Sequence, residues 1–317
     1  MKNLILSGTY NDHGSEGIYS FELTDGILQK PQVFSKIKSA KYIAVNGNRI
    51  ASIGEFPNGC GVALIDENGN ILDTIAYEER TSCYVVFHDD KIYTANYHLG
   101  QFTVLRAEKD RLRLINTVMI REKAGCHQVL FSQDKILIPC LFLDRVMIYS
   151  KDLVYQGAIR FPQGTGPRHG VFSADGTELY LVSELSNELF VFDTADFSLK
   201  YSMPVLPDGE THVRDTAAIR LSEDGKLLYV STRTKDVLSV IDLSGRKLLQ
   251  AHYCGGRHPR DFIIVQNHAV VANRFSDNVV SFELNEDGTL GKQTGTIIVP
   301  QAVSLAVLEK ESTRESD

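Results

Sequence analysis

Hydrophobic and polar positions alternate along the chain in a pattern that returns several times. In residues 166–193 (GPRHGVFSADGTELYLVSELSNELFVFD), an alternating strand is followed by a turn at Asp175 and Gly176, a second apolar strand, a polar break and a third strand. Alternation with a period of two predicts β-strands, and an Asp-Gly pair between two such runs predicts a hairpin. Because no window shows a convincing helical period of 3.6 residues, the pattern predicts an all-β protein.

The same order of strands and turns recurs along the chain. It is clear in residues 217–242 and 259–284 and weaker in segments that begin at Lys41, Cys83 and Cys126. The residues predicted to end the second strand of each unit are Tyr10, Glu55, Tyr97, Leu141, Glu184, Arg233 and Arg274. They follow one another at intervals of 41 to 49 residues. This spacing is typical of a four-stranded β-propeller blade, and neither two β-sandwiches nor a barrel would explain seven even repeats.

The two ends of the chain predict how the ring closes. The chain opens on LILSGTY and GIYSFEL, which match the second and third strands of a unit, and residues 302–309 match a lone first strand. The last strand would complete the first blade and leave no free sheet edge. We predict a single seven-bladed β-propeller of four-stranded antiparallel blades over residues 1–309, with a disordered charged tail over residues 310–317.

Composition narrows the classes of function. The 317 residues carry a formal net charge of −7, which argues against a nucleic-acid binder that works by bulk charge. No apolar run approaches the ~20 residues of a membrane helix, and none resembles a signal-peptide core. The five cysteines form no C-x-x-C pair, so the sequence suggests neither disulfides nor a metal site. We expect a cytoplasmic monomer or weak homodimer without a cofactor, which binds neither nucleic acid nor membrane.

Candidate functional residues gather at one mouth of the predicted ring. The start of a first strand and the end of a second strand lie on the same face of a blade, because a hairpin joins them. In the fifth unit these positions are Arg168 and Glu184, and in other units His127 and Arg260 begin first strands. Such a polar, concave mouth is a typical ligand site. Strict alternation after Arg168 predicts that His169 faces away and packs between blades.

Several segments resemble the lactonase family of seven-bladed β-propellers, which includes propeller-type 6-phosphogluconolactonases and carboxy-cis,cis-muconate cyclase. They are GPRHGVFSADGTELYLVSELSNELFVFD, STRTKD, GGRHPRDFIIV and VANRFSDNVVSFEL. The resemblance implies hydrolysis of a sugar lactone, typically 6-phosphogluconolactone in the pentose phosphate route. The residues proposed for the family's pocket fall here on His127, Arg168, Glu184 and Arg233.

Three positions depart from the family pattern. Gly125 stands where many members have the first histidine of an H-x-H pair, and Cys140 stands where many have an aspartate. In the sixth unit, Ala217 and Ala218 are followed by Ile219 and not by the usual glutamate. These departures leave open whether the chain keeps the family's substrate or activity.

The retained residues suit lactone hydrolysis. His127 could act as the base that activates water, with Glu184 as a second base or as the residue that positions Arg168. Arg168 or Arg233 could stabilise the oxyanion, while other guanidiniums bind an anionic group of the substrate. The predicted substrate-binding residues are Arg274, Arg260, Tyr97, Glu55, Tyr10 and Asn273.

Other functions remain open from the sequence. Arg168 and Glu184 could form only a structural ion pair, and His127 could be a core histidine. A propeller that binds a small anion or a protein partner without catalysis would then be expected. A lactonising isomerase of the cyclase kind could use the same residues in the reverse direction.

Overall fold

The protein is described by a computed structural model over residues 3–210 and 213–309, in which 29 strands form seven antiparallel sheets. Numbered in chain order, the innermost strands of blades 1 to 7 are β29 (Ala302–Glu309), β5 (Ile43–Asn46), β9 (Tyr84–His88), β13 (Leu130–Ser132), β17 (Pro167–Phe172), β21 (Thr216–Leu221) and β25 (Pro259–Val265). The second strands are β1 (Asn3–Thr9), β6 (Arg49–Phe56), β10 (Lys91–Asn96), β14 (Lys135–Cys140), β18 (Glu178–Ser183), β22 (Leu227–Thr232) and β26 (His268–Asn273). The third strands are β2 (Ile18–Thr24), β7 (Gly59–Asp66), β11 (Gln101–Glu108), β15 (Arg145–Ser150), β19 (Glu188–Asp193), β23 (Val237–Asp242) and β27 (Asn278–Leu284). The outer strands are β3 (Ile27–Leu28) together with β4 (Gln32–Ser35), β8 (Ile71–Glu78), β12 (Arg111–Met119), β16 (Tyr155–Arg160), β20 (Leu199–Pro204), β24 (Lys247–Tyr253) and β28 (Leu290–Ile298).

These sheets confirm the predicted seven-bladed propeller, and the ring closes as predicted. Strand β29 pairs antiparallel with β1, from Asn3 opposite Glu309 to Thr9 opposite Ala302. The first blade is thus built from both ends of the chain, and its outer edge is divided between β3 and β4, which both pair with β2. The predicted disordered tail over residues 310–317 lies outside the described residues.

The predicted ends of the second strands also agree with the structure. In six blades the predicted residue directly follows the last residue of the strand, as Glu184 follows β18 and Arg233 follows β22. The exception is Glu55, which lies inside β6. Two short 3-10 helices, Leu141–Leu143 and Arg274–Ser276, follow β14 and β26. Among the described residues, no helix is long and apolar enough to cross a membrane.

The hydrophobic core is divided into layers between neighbouring blades. Between blades 4 and 5, for example, Leu137 and Val146 pack in one cluster with Leu181, Phe190 and Phe192. The alternating apolar positions of the sequence supply these contacts, because successive side chains of a strand point to opposite faces of its blade. All five cysteines are buried and free, so packing and not disulfides holds the blades together.

Candidate active site

A β-bulge at the start of an innermost strand places Arg168. The register between β17 and β18 shifts by one residue between Pro167 and His169, which leaves Arg168 as the extra residue. Blade 7 has the same shift between β25 and β26, and there Arg260 is the extra residue. Both arginines therefore occupy the same structural position in their blades. A bulge interrupts the alternation of side chains along a strand and changes the direction in which they point.

The bulge also changes the position of His169. Its ring centre lies 4.9 Å from that of His127 in blade 4 and 5.8 Å from that of Tyr84 in blade 3. Only the central channel brings blades 3 and 5 this close, so His169 faces the channel. The prediction that it packs between blades is wrong, because it assumed unbroken alternation after Arg168.

Arg168, Glu184 and Arg233 form a continuous ion-pair network at the mouth of the channel. Arg168 Nε donates to Glu184 Oε2 at 2.7 Å, and Arg168 Nη1 donates to the Ala217 carbonyl at 2.6 Å. Arg233 Nη2 lies 3.1 Å from Glu184 Oε1 and also pairs with Asp215. Burial, and after it the charges of Arg233 and Arg260, lower the pKa of Arg168 to about 10 despite Glu184, so the guanidinium stays charged at neutral pH.

Glu184 remains an anion in this network. Burial alone would raise the pKa of its carboxyl group, but Arg168, Arg233 and Arg260 lower it below the ordinary value. A carboxylate that two guanidiniums hold in this way is a weak base. Its position therefore favours the role of orienting Arg168 and Arg233 over the role of the base.

His127 lies beside this network in a buried pair of histidines. Its Nδ1 is 3.0 Å from His169 Nε2, and its ring is in edge contact with Tyr97 at a centroid distance of 5.8 Å. Burial, followed by the charges of Arg168, His169 and Arg260, holds the pKa of His127 well below its ordinary value. The imidazole is therefore neutral at physiological pH, and one histidine of the pair donates its N–H to the other.

A second group of cations surrounds the ring of Tyr10. The guanidinium carbon of Arg274 lies 4.0 Å from the ring centre. The guanidinium carbon of Arg260 and the Nζ atom of Lys41 each lie 5.6 Å from it. These four residues come from blades 1, 2 and 7, and we call them the Tyr10 cluster. Arg274 also pairs with Asp12 at 3.3 Å.

Two predicted substrate-binding residues lie apart from these groups. Glu55 pairs with Lys38 at 2.7 Å and accepts a hydrogen bond from the Ser39 hydroxyl at 2.7 Å, at the outer part of the mouth. Asn273 is 0% exposed, and its Nδ2 donates to the Cys254 carbonyl at 3.1 Å. The amide of Asn273 thus binds the Cys254 segment, and its role in substrate binding stays a prediction.

Sequence reasoning missed two residues at the mouth, and they share one position. Asp215 and His258 each directly precede an innermost strand. The expected positions were the first residues of these strands and the last residues of the second strands. The residue before each first strand is equally close to the channel and would have revealed Asp215, which pairs with Arg233.

The departures from the family pattern have structural counterparts. Gly125 has a φ of 74°, and a Cβ there would lie 3.0 Å from the Phe142 ring, so a larger residue would be strained in this backbone conformation. Cys140 is fully buried with its Sγ 3.7 Å from that of Cys126. Ala217 contributes its carbonyl group to Arg168, a contact that does not depend on its side chain.

The fold is thus that of a seven-bladed propeller whose channel mouth carries a group of cations, a buried carboxylate and a pair of neutral histidines. The family model described as "Lactonase, 7-bladed beta-propeller" matches residues 4–307. The chain therefore belongs to the lactonase family of seven-bladed β-propellers, as its segments predicted. This assignment also supports the prediction of a lactone-hydrolysing enzyme.

Individual relatives cover the whole ring. The 6-phosphogluconolactonase of Bacillus subtilis is 29% identical and the alignment covers 96% of this chain and 97% of that protein. The crystal structure of a protein from Lactobacillus plantarum matches with a TM-score of 0.89 at 28% identity, covering 98% of this chain and 100% of that one. A candidate 6-phosphogluconolactonase from Bacteroides fragilis matches with a TM-score of 0.85 at 25% identity, covering 97% and 98%.

Proposed function

We propose that the protein hydrolyses 6-phosphogluconolactone to 6-phosphogluconate, a reaction of the pentose phosphate pathway. The observation that carries this proposal is the neutral imidazole of His127 beside the network of Arg168, Glu184 and Arg233 at one channel mouth. The substrate is suggested by the full-length similarity to the Bacillus subtilis enzyme. We further propose that the enzyme works in the cytoplasm as a monomer or weak homodimer, without nucleic-acid or membrane partners.

In the proposed reaction, His127 acts as the general base. Its neutral imidazole takes a proton from a water molecule as the water oxygen attacks the lactone carbonyl carbon. The depressed pKa makes it a weak base, but keeps it in the basic form over the physiological pH range. A lactone is an activated ester, so we expect a weak base to suffice.

The guanidiniums supply the charge that the tetrahedral intermediate needs. Within the described residues, Arg168 uses Nε and Nη1 in hydrogen bonds, while its Nη2 has no protein partner. Arg233 likewise uses Nε and Nη2 but not Nη1. Either N–H group can donate to the oxyanion, and removing one such donor typically costs about 3 kcal/mol in activation free energy.

Ring opening completes the reaction. The intermediate collapses, the bond between the carbonyl carbon and the ring oxygen breaks, and the ring oxygen takes the proton from His127. The products are the open-chain acid and the enzyme in its starting state, so no external reagent other than water is consumed.

A second candidate function is the binding of a small anion without catalysis. It is favoured by the closure of the ion-pair network, in which Arg168, Glu184, Arg233 and Asp215 partner one another and the Arg168 side chain is only 2% exposed. In that case the mouth would hold an anion such as a sugar phosphate and release it unchanged.

Initial rates with freshly generated 6-phosphogluconolactone distinguish the two functions. Because the lactone opens spontaneously, each rate is measured above a blank without protein. We expect wild type to accelerate opening and His127→Ala and Arg168→Met to lose most of the acceleration while keeping their fold by circular dichroism. Binding of the product without any acceleration would support the second function, and acceleration that survives both substitutions would place the reaction elsewhere.

A further inference from the structure

The Tyr10 cluster carries more positive charge than its direct ion pairs with the described residues balance. In the network around Glu184, the two guanidiniums face the two carboxylates of Glu184 and Asp215. In the Tyr10 cluster, Arg274 pairs with the carboxylate of Asp12, whose side chain is 61% exposed, whereas Glu184 and Asp215 act on Arg260, and Glu55 and Glu78 on Lys41, only through the electrostatic field. Lys41 and Arg260 form no ion pair with any carboxylate of the described residues. The channel mouth thus has a balanced side and a positive side.

Donors on the positive side also lack partners. Arg274 Nε is buried and has no hydrogen-bond partner among the described residues. Within the described ranges, the hydrogen bond of Lys41 Nζ is a long contact of 3.4 Å to the Thr81 carbonyl. Because a buried N–H group without a partner costs free energy, these donors indicate a place where a ligand with several acceptor oxygens is expected.

The ring of Tyr10 lies among the three cations, 4.0 to 5.6 Å from each. Its ring offers a negative face to Arg274 at 4.0 Å. Burial alone would raise the pKa of its phenol, but Arg260, Lys41 and Arg274 lower it below the ordinary value. The same positive field that stabilises a phenolate would stabilise a bound anion.

Arg260 connects the two sides of the mouth. Its positive charge lowers the pKa of Tyr10 and also those of His127 and Glu184. A ligand with a lactone at one end and an anionic group at the other could therefore reach both sides at once.

We propose that the Tyr10 cluster is the subsite for the phosphate group of the lactone substrate. This inference rests on the proposed function and adds to it the residues that select a phosphorylated substrate. Three cationic side chains suit a phosphate dianion, whereas a neutral hydroxymethyl group of a sugar would leave their charges unpaired.

The test compares 6-phosphogluconolactone with unphosphorylated gluconolactone. The measured quantity is the kcat/KM for the phosphorylated lactone divided by the kcat/KM for the unphosphorylated one. Arg274→Gln and Lys41→Gln should each lower this ratio by about 10- to 100-fold, because each removes one charge-assisted contact. Arg246→Gln is the matched control, because Arg246 is an exposed arginine whose guanidinium carbon lies 4.4 Å from the Tyr201 ring centre, in the turn between β23 and β24 at the opposite end of blade 6. An unchanged ratio in Arg274→Gln, or an equal fall in Arg246→Gln, would overturn the subsite.

Calorimetric titration with inorganic phosphate separates this inference from the proposed function. If wild type opens neither lactone, the proposed function fails, but phosphate binding still tests whether the Tyr10 cluster is an anion subsite. Affinity that falls about tenfold or more in Arg274→Gln and not in Arg246→Gln supports it. Affinity that is the same in both variants, or no phosphate binding to wild type, overturns it.

Discussion

Replacing Glu184 by glutamine removes the negative charge that two guanidiniums share. Glu184 lies 2.7 Å from Arg168 Nε and 3.1 Å from Arg233 Nη2. The Arg168 side chain is almost fully buried, so solvent cannot take over the lost charge. Arg233 keeps its pair with Asp215, and the loss therefore falls mainly on Arg168.

The expected loss is large for one substitution. Breaking a buried ion pair by removing one partner costs about 3–5 kcal/mol of stability. Because Arg168 keeps its contact with the Ala217 carbonyl, we expect a loss at the lower end of this range. The entropy of unfolding is about 2 cal/mol/K per residue, so over 317 residues a loss of about 3 kcal/mol lowers Tm by about 5 °C.

Differential scanning calorimetry of Glu184→Gln measures this loss, with Glu178→Gln as the matched control. Glu178 pairs with Lys200 at 2.8 Å nearer the surface, where an ion pair contributes about 0–1 kcal/mol. Equal Tm values for the two variants would refute the reasoning, because they would mean that Arg168 does not depend on Glu184.

The pH dependence provides a second readout of the same interaction. Although burial raises the pKa of Glu184, Arg168 and Arg233 lower it further, so its folded value lies below the ordinary one. The stabilisation is thus fully present above about pH 4.3, the ordinary value, and is lost as the pH falls through the folded value. The difference in stability between wild type and Glu184→Gln should be full at pH 7 and shrink below about pH 4.

Three further predictions concern the base, the core and the closure of the ring. Because burial and Arg168 hold the pKa of His127 well below its ordinary value, kcat/KM should stay flat from pH 8 to about 6.5; a loss of activity centred near 6.5 would contradict this. Phe190→Ala should cost about 3–5 kcal/mol in urea denaturation, against less than about 0.5 kcal/mol for the exposed control Leu199→Ala. A chain truncated after Pro300 lacks β29 and should lose cooperative unfolding, whereas one truncated after Glu309 should keep it; equal melting curves would refute the closure.

The number of blades could be predicted because the repeat is carried by local signals. Asp-Gly turns and alternating strands return at even intervals, and the residues that end the second strands can be read directly from them. The prediction is less accurate where a blade deviates from the pattern. Blade 1 divides its outer edge between Ile27–Leu28 and Gln32–Ser35, and Glu55 lies inside its strand.

The candidate site could be predicted only in part, because side-chain directions depend on strand pairing. Arg168 and Glu184 were expected to meet, and the structure places them 2.7 Å apart. The bulge at Arg168 results from the register of β17 against β18, which one strand alone does not reveal, and it turns His169 to the channel. The burial of Asn273 likewise follows from its contact with the Cys254 segment.

The most direct test of the central claim is a crystal structure of the wild-type protein with 6-phosphogluconate bound. We expect the product carboxylate beside His127, Arg168 and Arg233, and the phosphate at the Tyr10 cluster. Product bound at another place, for example in the cavity between blades 6 and 7 that Tyr229 and Asp287 line, would contradict the claim that this mouth of the ring opens the lactone.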